Sequence, residues 1–387
     1  MKILHTVEFY SPSVGGAQEV VRQISERLVK RGHQVTVATT NLPERKNKTI
    51  NGVQVEGFDI AGNQVLGYRG DTKRYLQFLT NGNFDVMMNY AAQQWATDLS
   101  FSGLERLSYS KVLAPCGFSG LFDPQYAKYF REMPAIMKRY DHIVLHSDIT
   151  RDAQFAREHG ISQRSIIPNG AARDEFSLFL DDFRHRYRIP SDVPMMLTVG
   201  SHTGWKGHSL VMEAFRRAKI GKGAVLVIIG NVLGGLGCLR KCRLHAAVVN
   251  MLSRGTKRVL LLDPPREDVV AAYHSADLFV FGSNIECSPI VLFEAMAAGT
   301  PFISADVGNA REIAAWSGSG VVIPTTQGHN GIAHAKASDM SRKIEDLLSS
   351  PSKLKALGAS GLEAWNKRFN WEAIAAQYET LYQRLTN

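Results

Sequence analysis

Residues 277–308 read DLFVFGSNIECSPIVLFEAMAAGTPFISADVG. The opening run, DLFVFGS, has the length and the apolar, aromatic content of a buried strand. A helix follows, with Ser288 read as its N-cap and Pro289 as its first residue, where a missing N–H leaves no bond unmade. Gly299, with Pro301 soon after, ends it, and PFISA supplies the next strand. Two strands joined by a helical crossover make a parallel pair, so this stretch decides for an α/β sheet. Because Pro289 lacks an amide proton, the first donors at the positive helix end belong to Ile290 and Val291, an anion site. Glu286, on the loop, and Glu294, inside the helix, bracket that site. Two glutamates seen alone are ordinary surface acids; behind a strand and a capped helix they read as ligand groups. An ionised carboxylate accepts hydrogen bonds only, which suits a diol, and beside a phosphate the obvious diol is a ribose.

The same alternation extends in both directions. Strands are expected at KILHTV, HQVTVATT, VQVEGF, FDVMMNY, KVLAP and HIVLHS in the first half. In the second half they are expected at MMLTVG, AVLVIIG, RVLLLD, DLFVFGS, PFISA and GVVIP. Helical segments separate them, one running to about Arg31 before Gly32 and another from Arg151 to Gly160. IIPNGAARDEF (166–176), with the polar run to Pro194, breaks the pattern and is read as an interdomain linker. The tail places Trp371, Ile374, Tyr378 and Leu381 on one helical stripe. Two Rossmann-like domains facing across a cleft follow, with ligands outside the C-terminal ends of the strands.

Composition bounds the partners. A chain of 387 residues exceeds what one core usually supports. Lys and Arg outnumber Asp and Glu by 45 to 36, a net charge of +9 that favours anionic ligands or surfaces. No nucleic-acid-binding spacing occurs, and no apolar run reaches the length of a spanning helix. The N-terminal apolar stretch is too short for a signal peptide, which leads to an expected cytoplasmic location. The four cysteines read as small buried hydrophobes; Cys238 and Cys242 invite a metal, but no second Cys/His pair at ligand spacing is recognised beside them. Residues 238–258 hold six cations and no acid, with Leu239, Cys242, Ala246 and Val249 at helical spacing, and read as an amphipathic helix with a basic solvated face, an anionic membrane being the other reading.

Glu286 and Glu294 in ECSPIVLFEAMAAGTP resemble the EX7E signature of the retaining glycosyltransferases of family 4, which have the GT-B fold. TVGSHTGWKGHSLVMEAF resembles that family's first strand–loop–helix of the C-terminal domain, and SPSVGGAQEVV its N-terminal glycine loop. IIPNG resembles its linker and WEAIAAQYETLYQRL its terminal helix, so the likeness covers essentially the whole chain. It implies a GT-B α/β protein with an N-terminal domain over 1–170, completed by 370–387 crossing back, and a nucleotide-sugar-binding domain over 171–369. It implies transfer of a hexose from a nucleotide-diphosphate sugar, UDP- or GDP-linked, to an acceptor hydroxyl with retention, without a metal or other cofactor. In that reading Glu294 binds the ribose, Glu286 the transferred sugar, and Lys206 neutralises the departing diphosphate. Ile290 and Val291 face the diphosphate beside Cys287 and Ser288, and Gly15 and Gly16 let backbone approach the phosphates. Where the family commonly has an arginine this chain has Ser201, followed by His202, and both are taken as part of the donor site. Where many members carry a histidine, the chain has LAPCGFSGLF, so Cys116 and Phe118, with Gln93, Gln94 and Trp95, are the acceptor-side candidates.

A saccharide acceptor, lipid-linked or soluble, in surface polysaccharide, lipopolysaccharide or glycolipid synthesis is the expected context, with peripheral contact at the inner membrane face. A nucleotide-sugar-binding protein without turnover, or an epimerase or phosphorylase on the same fold, are the other readings. A hydride-transferring enzyme would want GxGxxG after the opening strand, and SVGGAQ does not provide it.

Overall fold

The computed structural model describes residues 1–177, 182–221, 223–232 and 237–387. The chain divides into two units, Met1–Asn169 with Trp371–Asn387, and Gly170–Asn370.

In the first unit ten strands occur in chain order: β1 (Lys2–Thr6), β2 (Gln34–Thr40), β3 (Thr49–Ile50), β4 (Val53–Phe58), β5 (Ile60–Asn63), β6 (Gly67–Gly70), β7 (Val86–Tyr90), β8 (Ser110–Ala114), β9 (His142–Leu145) and β10 (Arg164–Ile166). Eight of them form a sheet in the order β10-β9-β8-β7-β1-β2-β4-β3. All neighbours are parallel except β3, an antiparallel edge strand on β4. β5 and β6 form a separate hairpin. Leu4, Met87, Leu113 and Ile143 on neighbouring strands are fully buried, as strands covered on both faces require.

Helix Gly16–Lys30 buries Val20, Val21, Ile24 and Leu28, an i, i+4 stripe. Helix Trp371–Thr386 returns to this unit, burying Trp371, Ile374, Tyr378 and Leu381. Arg27 pairs with Glu372 at 2.8 Å and Arg31 with Glu379 at 2.5 Å, so the two helices are tied by charge as well as packing. A buried polar link adds to this: His5 on β1 lies 2.8 Å from Ser25 Oγ and 3.0 Å from Tyr382 Oη.

Burial pushes the His5 pKa down to about 3. The folded unit holds the neutral ring while the unfolded chain takes up a proton near pH 6.5. The stability contributed is therefore present above pH 6.5 and lost as pH falls from there towards 3. The slope from this one group approaches about 1.4 kcal/mol per pH unit. NMR of the histidine ring protons, assigned residue by residue, should show that the His5 ring does not titrate down to pH 4. Titration of the His5 ring near pH 6.5 would contradict the assignment.

The second unit holds β11 (Met195–Val199), β12 (Ala224–Ile229), β13 (Lys257–Leu262), β14 (Leu278–Phe281), β15 (Phe302–Ala305), β16 (Gly320–Ile323), β17 (Thr325–Gln327) and β18 (Ala333–Ala335). The first six form an all-parallel sheet in the order β13-β12-β11-β14-β15-β16. β17 and β18 are an antiparallel hairpin. The strand order reverses direction at β11, between β12 and β14, which is the switch point where such sheets bind ligands.

Two expectations change. The segment read as a linker is part of the second unit: Ala171, Phe176, Phe183 and Ile189 belong to its hydrophobic core. Short helices at Arg173–Phe176 and Phe183–Arg186 bury those aromatics, a pattern too brief to register as periodicity; residues 178–181 of the same segment lie outside the described residues. The helix Leu239–Leu252 buries Cys242, Ala246 and Val249 of the expected stripe and leaves Leu239 half-buried, and its outer face is not simply basic. Leu244, Val248, Met251 and Leu252 are exposed there, at spacings of four, three and one.

Candidate functional site

The switch point of the second sheet brings together two loops. One, residues 200–207, leaves β11 and leads into helix His208–Arg217; the other, residues 282–289, leaves β14 and leads into helix Ile290–Ala297. They are zipped by backbone: the Asn284 amide donates to the Trp205 carbonyl at 2.8 Å, and Ser283 Oγ donates to the same carbonyl at 3.1 Å. Gly207 closes the first loop at φ +67, and a Cβ there would lie 1.8 Å from the Gly282 carbonyl oxygen. Only glycine meets both demands. Gly207→Ala is expected to cost about 2 kcal/mol or more in urea unfolding, from strain and the displaced loop. An unchanged unfolding midpoint would show that the two loops are not locked.

Across the zip, Lys206 and Glu286, read separately from the sequence, meet directly. Lys206 Nζ lies 2.6 Å from Glu286 Oε1, which also accepts from Ser283 Oγ at 2.8 Å. The lysine side chain is 30% exposed and the glutamate 12%, so one face of the pair is open to solvent. An incoming anion therefore meets a cation already held in place by its carboxylate partner. Ser201 lies half-buried at the start of this loop, its carbonyl accepting from the Thr203 amide at 2.8 Å.

Helix Ile290–Ala297 begins one residue later than expected. Pro289, in extended conformation with ψ 112°, is the N-cap, and no side chain caps the helix. Ser288 is therefore not the cap, because the proline's extended ψ moves the first turn beyond its reach. The amides of Ile290 and Val291 open the helix with no side-chain acceptor, as an anion site needs. Cys287 precedes them, its carbonyl fixed by the Asn309 amide at 3.0 Å.

Glu294, one turn into the helix and 6% exposed, is not alone. Arg266 Nη2 donates to Glu294 Oε1 at 2.5 Å and to Glu175 Oε2 at 2.7 Å. Burial alone would lower the Arg266 pKa, but the two carboxylates hold it well above its ordinary range. Arg266 thus fixes one oxygen of Glu294 and leaves the carboxylate oriented by a permanent cation. Reading the sequence missed it, since LLDPPRED resembles any strand-to-helix turn.

His202 does not stand in for the absent arginine. It is 1% exposed, and burial lowers its pKa, so it supplies no charge. Its Nδ1 lies 3.5 Å from Cys238 Sγ. His208 joins them: the ligand atoms of His202, His208, Cys238 and Cys242 all lie within 4.8 Å of one another. The expectation that Cys238 and Cys242 lack a second pair is thereby corrected, and of the four cysteines only Cys242 is buried.

In the first unit, Gly15 caps helix Gly16–Lys30 without a side-chain acceptor, and the space where a Gly16 Cβ would stand is empty to 4 Å. The loops after β7 and β8 carry Ala91, Gln93, Cys116 and Phe118, all with positive φ, four of the seven such non-glycine residues described. Strain so concentrated at the C-terminal sheet edge marks a constrained site. Gln93 is held by its amide to Asp98 Oδ1 and Tyr129 Oη, both at 3.1 Å, and Cys116 packs beside Tyr90.

Three of the acceptor-side candidates fail. Trp95 is fully buried, edge-on to Tyr75 and Phe58, with Nε1 on Thr40 Oγ1 at 2.9 Å. Phe118 packs edge-on to Phe130 and Phe155. Gln94 turns inward, its Oε1 accepting the Glu8 amide at 2.8 Å and its Nε2 donating to the Ala91 carbonyl. Apart from Ala91, these partners are distant in sequence, which is why the loop looked open. A histidine does lie behind Cys116: His146, at the end of β9, contacts Tyr90 Oη at 3.0 Å and the Ile167 carbonyl at 2.9 Å. Burial opposes its protonation, but Cys116 and that carbonyl hold its pKa above the ordinary value.

Residues 14–175 match the family described as Glycosyltransferase Family 4, and residues 181–363 match Glycosyl transferases group 1. A D-inositol 3-phosphate glycosyltransferase of Xylanimonas cellulosilytica is 24% identical over all of this chain and 96% of its own length. Sucrose-phosphate synthase from Thermosynechococcus elongatus superposes with TM-score 0.77 at 22% identity, covering 99% of this chain and 98% of that one. An Anabaena protein solved in complex with UDP-glucose superposes with TM-score 0.75 at 17% identity, covering 99% and 100%. The chain belongs to the GT-B glycosyltransferases that join a family 4 N-terminal domain to a group 1 C-terminal domain.

Proposed function

We propose that this glycosyltransferase moves a hexose from a UDP- or GDP-sugar to an acceptor hydroxyl with retention of anomeric configuration. The observation that carries the reading is the Lys206–Glu286 pair, held 2.6 Å apart beside an uncapped helix start. The amides of Ile290 and Val291 and the Lys206 ammonium offer positive charge where a diphosphate leaving group gains negative charge. Glu286 then contacts the transferred sugar, and Glu294, steadied by Arg266, accepts from the ribose hydroxyls. As the bond from the anomeric carbon to the phosphate oxygen breaks, the acceptor oxygen bonds to that carbon on the same face. The acceptor proton passes to the departing phosphate. Charge stabilisation and positioning are the protein's share, and no metal is needed at the reacting centre.

NMR of the glycosidic product tests the class. Retained configuration from an α-linked donor supports the mechanism; a β-linked product overturns it. Donor binding with no turnover over a panel of acceptors would favour a binding protein instead.

The exposed stripe of Leu244, Val248, Met251 and Leu252 lies on a helix that also carries Arg240, Lys241 and Arg243. Apolar side chains flanked by cations suit the headgroup region of an anionic bilayer, which supports a lipid-linked acceptor at the inner membrane face. Among the described residues no helix is long and apolar enough to cross a membrane. Co-sedimentation with vesicles containing phosphatidylglycerol should be strong and should fall at least about tenfold in Leu244→Asp/Met251→Asp, since burying a charge opposes insertion. Equal sedimentation of both proteins would remove the membrane from this account.

A further inference from the structure

The His202, His208, Cys238 and Cys242 cluster brackets the Lys206 loop but shares no side chain with the donor groups Lys206, Glu286 and Glu294. The two cysteines sit one turn apart at the start of helix Leu239–Leu252. The two histidines flank the Lys206 loop, His208 as the first residue of helix His208–Arg217. Parallel β-α-β connections carry both segments to the C-terminal edge of β11 and β12, which are paired along their length. Two residues of each type, spaced His-x5-His and Cys-x3-Cys, fall within the spacings common in structural zinc sites.

The distances are more telling than the spacing. A tetrahedral zinc with Zn–S of about 2.3 Å and Zn–N of about 2.0–2.1 Å places its sulfurs about 3.8 Å apart and each nitrogen about 3.6 Å from a sulfur. Here the sulfurs are 3.6 Å apart. His202 Nδ1 is 3.5 Å from Cys238 Sγ, and His208 Nδ1 is 3.9 Å from both sulfurs. The four donors thus stand close to the spacings that a tetrahedral zinc sets, all within 4.8 Å of one another. As hydrogen bonds these contacts would contribute little, because thiols are weak donors and acceptors. His208 is 3% exposed, so its ring is shut away from water.

The backbone is built to the same end. Gly237, at φ +45, lets the chain pass so close that a Cβ would lie 1.6 Å from the His202 carbonyl oxygen. That carbonyl accepts the Cys238 amide at 3.0 Å, and the His202 amide donates to the Asn231 carbonyl at 2.9 Å. The two segments are thus registered against each other before any ion enters.

The geometry points to a structural zinc site formed by His202, His208, Cys238 and Cys242. Binding displaces the two thiol protons, so two thiolates and two neutral imidazoles around Zn²⁺ make a neutral site. All four positions are filled by protein, which leaves no open position for water or substrate, the mark of a structural rather than catalytic zinc. Its effect is mechanical: it clamps both ends of the loop that presents Lys206 and fixes that loop to the basic helix. Sequence inspection failed here because the histidine pair precedes the cysteine pair, with all of β12 between them.

The test uses the full chain without a polyhistidine tag, purified without chelator. Elemental analysis should find one zinc per chain, and Cys116→Ser should retain it. Cys238→Ser/Cys242→Ser should lose at least about nine-tenths of it. Exchange with Co²⁺ should give the visible absorption of tetrahedral cobalt with thiolate charge transfer, a signature independent of activity and readable on the unaltered chain if the variant fails to fold. Stripping the zinc should lower the unfolding temperature, and adding Zn²⁺ back should restore it. Zinc well below one per chain with no cobalt–thiolate absorption overturns the site. So does recovery of Cys238 and Cys242 as a disulfide that takes up no metal. Neither result bears on whether a nucleotide sugar binds at Glu294.

Discussion

Lys206→Ala is expected to lower kcat by about 10²–10³-fold, the usual loss when one preorganised charge is removed from a leaving-group site. In the free protein its ammonium sits 2.6 Å from Glu286, so the cation is positioned before the donor arrives. Because the charge it answers grows as the glycosidic bond breaks, kcat and kcat/KM should fall together. Stability should hardly change, since the lysine is 30% exposed and such pairs contribute little to folding. Steady-state kinetics with a nucleotide sugar, alongside thermal unfolding, separates these effects. A variant with unaltered kcat would remove Lys206 from the chemistry.

Glu294 should act differently. Glu294→Ala removes the proposed ribose acceptor and is expected to weaken nucleotide binding about 10–100-fold, the worth of hydrogen bonds to a charged group. The loss should appear in affinity for the donor and for the free nucleoside diphosphate alike, whereas the Lys206 effect is largest on turnover. Arg266 keeps Glu175 at 2.7 Å, so its charge stays paired in the variant. Glu294→Gln keeps the shape and one acceptor oxygen and should recover part of the affinity. If both variants bind like the parent, the ribose contact is wrong.

How much of this was legible follows from what each feature depends on. The strands of both large sheets could be read, apart from the short edge strands β3 and β10, because parallel strands covered on both faces are near-continuous apolar runs. The β5–β6 and β17–β18 hairpins could not, being three to four residues long with little apolar content. Helix Ile290–Ala297 was legible from Pro289 and Gly299, both local signals, although the proline's own dihedral angle moved the cap by one residue. The meeting of Lys206 with Glu286 follows from β11 and β14 being neighbours, which motif resemblance anticipates but periodicity does not. Arg266 and His146 reach their sites from strands and helices whose order in the sheet no local pattern announces. Trp95 failed in the opposite sense: Gln-Gln-Trp after a strand looks like an open loop, yet Phe58 and Tyr75, both far upstream, close over the ring.

The central claim is that Lys206, Glu286, the Ile290 and Val291 amides and Glu294 form one nucleotide-diphosphate-sugar site. Isothermal titration of UDP and GDP into the parent chain and into Glu294→Ala addresses it most directly. One of the two nucleotides should bind the parent at one site per chain, and the variant should bind it at least about tenfold more weakly. Binding of neither nucleotide, or equal affinity in parent and variant, would contradict it.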